Sequence, residues 1–211
     1  MPLQHEPDVS TADWFTKSGE PWRQLCSIGP SGFAQYGRLF HPVRPGDDPA
    51  DPQSLVDVAG DLDPEILQRL VSILARHTLT PQDCYFALWE GFGTIYGTHP
   101  AGLHHRESAV APAFPPHVME GPRVSIPGRN YLLFRGPLSQ AGQWGAADLT
   151  YGYPRTINSP NLFWPVDHAW FVATEIDVPW TGIGGSAELI RDLMSQASFD
   201  IELVDPAQDR Q

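Results

Sequence analysis

Apolar residues along this chain fall in short clusters separated by proline and glycine, and the spacing within each cluster predicts an element. The clearest helix starts at Asp63, a good N-cap, with Pro64 suited to the first helical position. Ile66, Leu67, Leu70, Val71, Ile73 and Leu74 then recur on one face until Thr80-Pro81 stops the run. A second helix follows Gly182-Ile183-Gly184-Gly185-Ser186, with Ser186 as its N-cap and a stripe of Leu189, Ile190, Leu193, Met194 and Ala197.

The remaining clusters read as strands. Residues 22–28 form the first, closed by Gly29-Pro30, and residues 33–40 the second, ended by His41-Pro42. Phe33, Tyr36, Leu39 and Phe40 would also fit one helical face, but the aromatics and flanking prolines favour a strand. CYFALWE at 84–90 is a buried strand, NYLLFR at 130–135 another, and 124–126 can pair with the latter across Pro127-Gly128. HAWFVATEID at 168–177 is the longest strand, and 199–204 closes the chain. Residues 45–52 are an acidic loop and 53–59 a short element of either type. Residues 98–122 make a proline- and histidine-rich connection longer than compact domains usually carry. Elements that do not alternate regularly predict an α+β fold: a mostly antiparallel sheet of five to seven strands with two main helices packed on one face. Residues 21–205 form its single domain, after a partly flexible segment 1–20 and before a tail 206–211.

Length agrees, since 211 residues suffice for one well-buried core. Cys26 and Cys84 lie outside any zinc or Cys-x-x-Cys spacing and read as free thiols in a reducing compartment. With no signal-like start and no long apolar run, the expectation is a cytoplasmic protein without membrane contact. The net charge of −12 disfavours nucleic acid and suits a basic partner. That charge is uneven: seven acids face one arginine over 43–65 and eight face one over 175–209, whereas 66–174 holds seven arginines against six acids.

Candidate chemistry is sparse. Alternation along 168–177 puts Glu175 and Asp177 on one face, roughly 7 Å apart, a spacing that suits a hard cation, an acid and base pair, or simple exposure to water. Glu90, ending its own strand before Gly91, could join them if the strands are neighbours. His99, His104, His105 and His117 offer metal donors, but without the fixed spacing of a helix or strand; no metal or cofactor is expected. The glycines before Ser186 lack the ending of a phosphate loop, and no Gly-x-Ser-x-Gly elbow occurs. Trp164 and Trp180, beside Pro165 and Pro179, read as loop aromatics, either lids on the core or anchors for a partner, whereas Trp170 fills the core.

The segment from Asn161 to Asp177, NLFWPVDHAWFVATEID, continuing into Gly184-Gly185-Ser186, resembles an uncharacterised family of proteins from GC-rich actinobacteria. The resemblance extends to 77–93 and 128–138; it implies a cytoplasmic protein and transfers no catalytic residue. The leading expectation is therefore a non-enzymatic interaction protein, of immunity or regulatory type. It would bind a basic protein through Trp164, Asp167, Trp180, Glu188 and Asp192. The alternative is a small hydrolase or metal-dependent enzyme using Glu90, Glu175 and Asp177. Oligomeric state is open.

Overall fold

The computed structural model describes residues 2–43, 48, 59–97, 111–149 and 155–206; the predicted acidic loop and the element at 53–59 fall largely outside them, as does 98–110 of the long connection. In chain order the elements are β1 (Gln4–His5), α1 (Asp13–Thr16), α2 (Trp22–Ser27), β2 (Gln35–Phe40), α3 (Pro64–Leu74), β3 (Cys84–Trp89) and α4 (Pro116–Met119). They continue with β4 (Val124–Ile126), β5 (Arg129–Gly136), β6 (Leu162–Pro165), β7 (Phe171–Thr174), β8 (Trp180–Gly185), α5 (Ala187–Met194) and β9 (Ile201–Leu203). The fold is thus α+β, but with nine strands and five helices among the described residues, more than the five to seven strands and two helices expected.

All nine strands join one sheet in the order β1-β5-β3-β6-β7-β8-β2-β9, with β4 also on β5, and every pairing described is antiparallel. The 124–126 strand pairs with the next across Pro127-Gly128 as the turn chemistry predicts, Val124 opposite Tyr131. The two long helices cover one face: Leu67, Leu70, Ile73 and Leu74 of α3 and Leu189, Ile190 and Leu193 of α5 share a core with Phe86, Leu132, Phe163, Trp170 and Val172. Local rules start both helices. Asp63 accepts the N–H groups of Glu65 and Ile66 at 2.8 and 3.3 Å, and Ser186 accepts that of Leu189 at 3.1 Å.

The opposite face carries a second layer that the pattern did not foresee. Residues 22–28, expected as a strand, are the helix α2: Trp22, Leu25 and Cys26 stand three and four residues apart, and Leu25 and Cys26 are buried on Tyr85, Trp164 and Phe171 with Phe15 of α1. Six residues are too few for periodicity to separate the two readings. Residues 2–20 also pack on the sheet, Leu3, Ala12 and Phe15 being buried.

Two further readings need correction. The strand at 168–177 shortens to β7, because Asp167 bonds the N–H of Ala169 at 3.2 Å and His168 adopts φ 53°, while beyond Thr174 the chain turns away. The glycine-rich run before Ser186 is not a lead-in but β8, an interior strand between β7 and β2. Glycine is required there by close approach, since a Cβ on Gly182 would lie 2.2 Å from the carbonyl oxygen of Ser27 at the end of α2. No helix among the described residues is long and apolar enough to cross a membrane.

Candidate functional site

At one end of the sheet β3 and β7 finish and β5 begins, and three charged side chains meet there. Arg129, the first residue of β5, donates from Nε and Nη2 to Glu175 Oε1 at 3.1 and 2.6 Å, from Nη2 to Asp177 Oδ2 at 2.9 Å, and from Nη1 to the Gly128 carbonyl at 3.1 Å. The indoles of Trp22 and Trp89 flank the guanidinium, with ring centroids 5.4 and 5.5 Å from its carbon. Burial works against the arginine charge, but the hydrogen bond and attraction of Glu175 outweigh it and hold the Arg129 pKa above its ordinary value.

Beneath this ion group lie Cys26 and Tyr131, the phenol donating to Cys26 Sγ at 3.6 Å. Burial, reinforced by the charge of Glu175, pushes the Cys26 thiol up to about 12, and burial with the neighbouring thiol raises Tyr131 as well. Both are therefore neutral at pH 7, and the thiol is no nucleophile.

Asn161, buried between strands, sets the spacing of the group. Its Oδ1 accepts the N–H of Trp89 at 2.8 Å, its Nδ2 donates to the Thr174 carbonyl at 3.1 Å, and its own carbonyl accepts the N–H of Thr174 at 2.6 Å. One amide side chain thus ties the strand bearing Trp89 to the strand leading into Glu175.

The described end of the first acidic segment, residues 59–65, meets the start of the second beside it. Gly60 lies against the backbone of Ile176, where a Cβ would come within 2.7 Å of its Cα, and the positive φ of 75° also favours glycine. Asp61 is thereby brought close to the 175–177 turn, its carboxylate accepting the N–H of Ser159 at 2.7 Å. Asp61, Asp63 and Asp177 are exposed at this end, and Trp22, Trp89 and Trp180 are half-buried.

The acids expected to act together are thus partly united. Glu175 and Asp177 share Arg129, whereas Glu90 binds Arg123 Nε at 2.8 Å and Asn130 Nδ2 at 3.0 Å, so each glutamate serves a different arginine. Arg123 also donates to the carbonyls of Val118, Met119 and Gly121, closing the end of α4.

The five residues expected to bind a partner do not form one surface. Trp164 is not in a loop: it lies within β6, wholly buried and stacked on Tyr85 and Phe171, and an indole so enclosed offers no face to a partner. Asp167 sits at the end of β7 opposite Asp177 and accepts from Thr78 Oγ1 at 2.8 Å and the N–H of Leu79 at 2.7 Å. Asp192 is taken up by Arg76 and His77 at 3.1 and 2.9 Å, joining α5 to the end of α3. Glu188 is exposed in the first turn of α5. Trp180, expected in a loop, instead starts β8 and lies at the Asp177 end with the Arg38 guanidinium 4.5 Å over its ring.

Of the histidines, His99, His104 and His105 fall outside the described residues, and His117 faces His5 with ring centroids 5.9 Å apart. No group of three or more metal-capable side chains forms among the described residues. Arg129, Trp22, Tyr131 and Asn161 were not among the residues singled out in the sequence, and Cys26 was read only as a free thiol. The one signal available for them was an arginine at the start of a strand whose middle, residues 131–134, is apolar, which demands a counterion wherever that strand end is covered. No protein-family model, curated protein or solved structure matches the chain.

Proposed function

We propose that this protein is a non-enzymatic interaction protein of immunity or regulatory type, and that it binds a basic protein at the acidic, tryptophan-bearing end of its sheet. The observation that carries this reading is the packing of Gly60 on Ile176, which sets exposed Asp61, Asp63 and Asp177 at the end that carries three half-buried indoles. Such a surface attracts a basic partner over distance through its carboxylates and holds it through its aromatics. Glu175, the carboxylate nearest the core, is tied to Arg129, and the thiol and phenol beneath are held neutral, an arrangement suited to a fixed binding surface.

The test removes charge while keeping each local hydrogen bond: Asp61→Asn, Asp63→Ser, which retains an N-cap, and Asp177→Asn together. From extracts of the source organism at low salt, the wild type should capture a basic protein that is released by about 0.5 M salt, and the triple variant, equally stable, should capture none. Capture that survives both high salt and the three substitutions would overturn the proposal.

A further inference from the structure

Strand β1 is only two residues long, and it is held on the edge of β5 by few contacts. His5 stands opposite Phe134, Leu3 donates its N–H to the Gln143 carbonyl and Glu6 its N–H to the Leu133 carbonyl, both at 2.9 Å. Leu3 is buried against Gly136. The His5 imidazole packs edge-on against Phe134 and His117, at centroid distances of 6.2 and 5.9 Å. Its Nε2 is buried without a hydrogen-bond partner, and the backbone of Gly121 closes over it, a Cβ there falling 3.2 Å from that nitrogen.

We infer that His5 and His117 form an acid-sensitive latch, through which protonation of His5 frees β1 and uncovers the edge of β5. A proton on the enclosed Nε2 would need an acceptor that the closed arrangement does not supply. A charge on the ring would be repelled by His117 on α4 and by Arg123 in the segment that follows, against attraction by Glu6 just after β1, which itself lies 3.5 Å from Arg135. In the freed segment the imidazolium is hydrated instead. Burial first, then repulsion from His117 and Arg123, lowers the His5 pKa in the closed state from 6.5, Glu6 opposing in part. With the closed value below the open one, the latch is at full strength above the ordinary histidine pKa and weakens as pH falls through it.

Hydrogen exchange at the Leu3 and Glu6 amides, corrected for the intrinsic rate at each pH, measures this opening. Between pH 7.5 and 5.0 the opening constant should rise about fivefold or more, and by no more than tenfold per pH unit for one proton, while amides of β3 stay unchanged. His5→Phe should abolish the rise. Should that variant loosen β1 at every pH, His117→Ala decides, because it keeps the backbone bonds of Leu3 and Glu6 and the His5 contact with Phe134 yet removes a repelling neighbour, and the rise should shrink. A wild-type opening constant that is flat with pH, or a rise of equal size in His5→Phe or in His117→Ala, would overturn the latch.

Discussion

Removing the carboxylate of Glu175 should destabilise this protein far more than removing that of Asp177, although both bind the same guanidinium. The difference follows from solvent: the Glu175 side chain is 9% exposed and that of Arg129 15%, against 73% for Asp177. Glu175→Ala takes away two charge-assisted hydrogen bonds and leaves a covered guanidinium with one exposed carboxylate, a loss of about 3–5 kcal/mol by analogy with other buried pairs broken on one side. Asp177→Ala removes one bond that water can replace, at about 0–1 kcal/mol. For a chain of this size each kcal/mol moves the melting temperature by about 2–4 °C, so the drops should be about 6–20 °C and under about 4 °C. Scanning calorimetry with urea midpoints would measure both. A control sharpens the test: Arg129→Met combined with Glu175→Leu replaces the pair by apolar groups and should recover much of the loss, giving a clear coupling energy. Equal losses for the two alanine variants, or a double variant whose loss is the sum of the singles, would refute the account of a buried pair with an exposed third member.

Trp164→Ala should cost about as much as Trp170→Ala, roughly 3–5 kcal/mol each, since both indoles are fully buried; urea midpoints check this, and a Trp164 variant within about 1 kcal/mol of wild type would contradict its enclosure. Cys26 and Cys84, both pushed up by burial to about 12, should resist iodoacetamide at pH 8 until the protein unfolds. Because their folded values are raised, the stability they contribute is complete below the ordinary thiol value and is lost above it as the unfolded chain ionises, by up to about 1.4 kcal/mol per pH unit for each thiol. Cys26→Ala and Cys84→Ala should flatten that alkaline decline, and labelling of the native protein as fast as the unfolded would refute the burial.

Interactions within a few residues could be read from the sequence alone. The caps at Asp63 and Ser186, the apolar stripe of α3, that of α5 as far as Leu193 but not exposed Met194 and Ala197, the turn at Pro127-Gly128 and the strands at 84–90 and 130–135 stand where the local pattern puts them, because a cap or a period needs only its own neighbours. The acids Glu175 and Asp177 were legible as a pair by their closeness in sequence, although the strand alternation expected to align them ends at Thr174 and it is Arg129 that joins them.

Their counterion was not, since Arg129 is 46 residues from Glu175 and only the strand order β5-β3-β6-β7 brings that end of β5 to that end of β7. Tertiary packing likewise decided that 22–27 is a helix, that a glycine-rich run is an interior strand because α2 presses on Gly182, and that Trp164 faces inward. In each case two local conformations differ little in intrinsic free energy, and apolar burial against a distant segment selects between them.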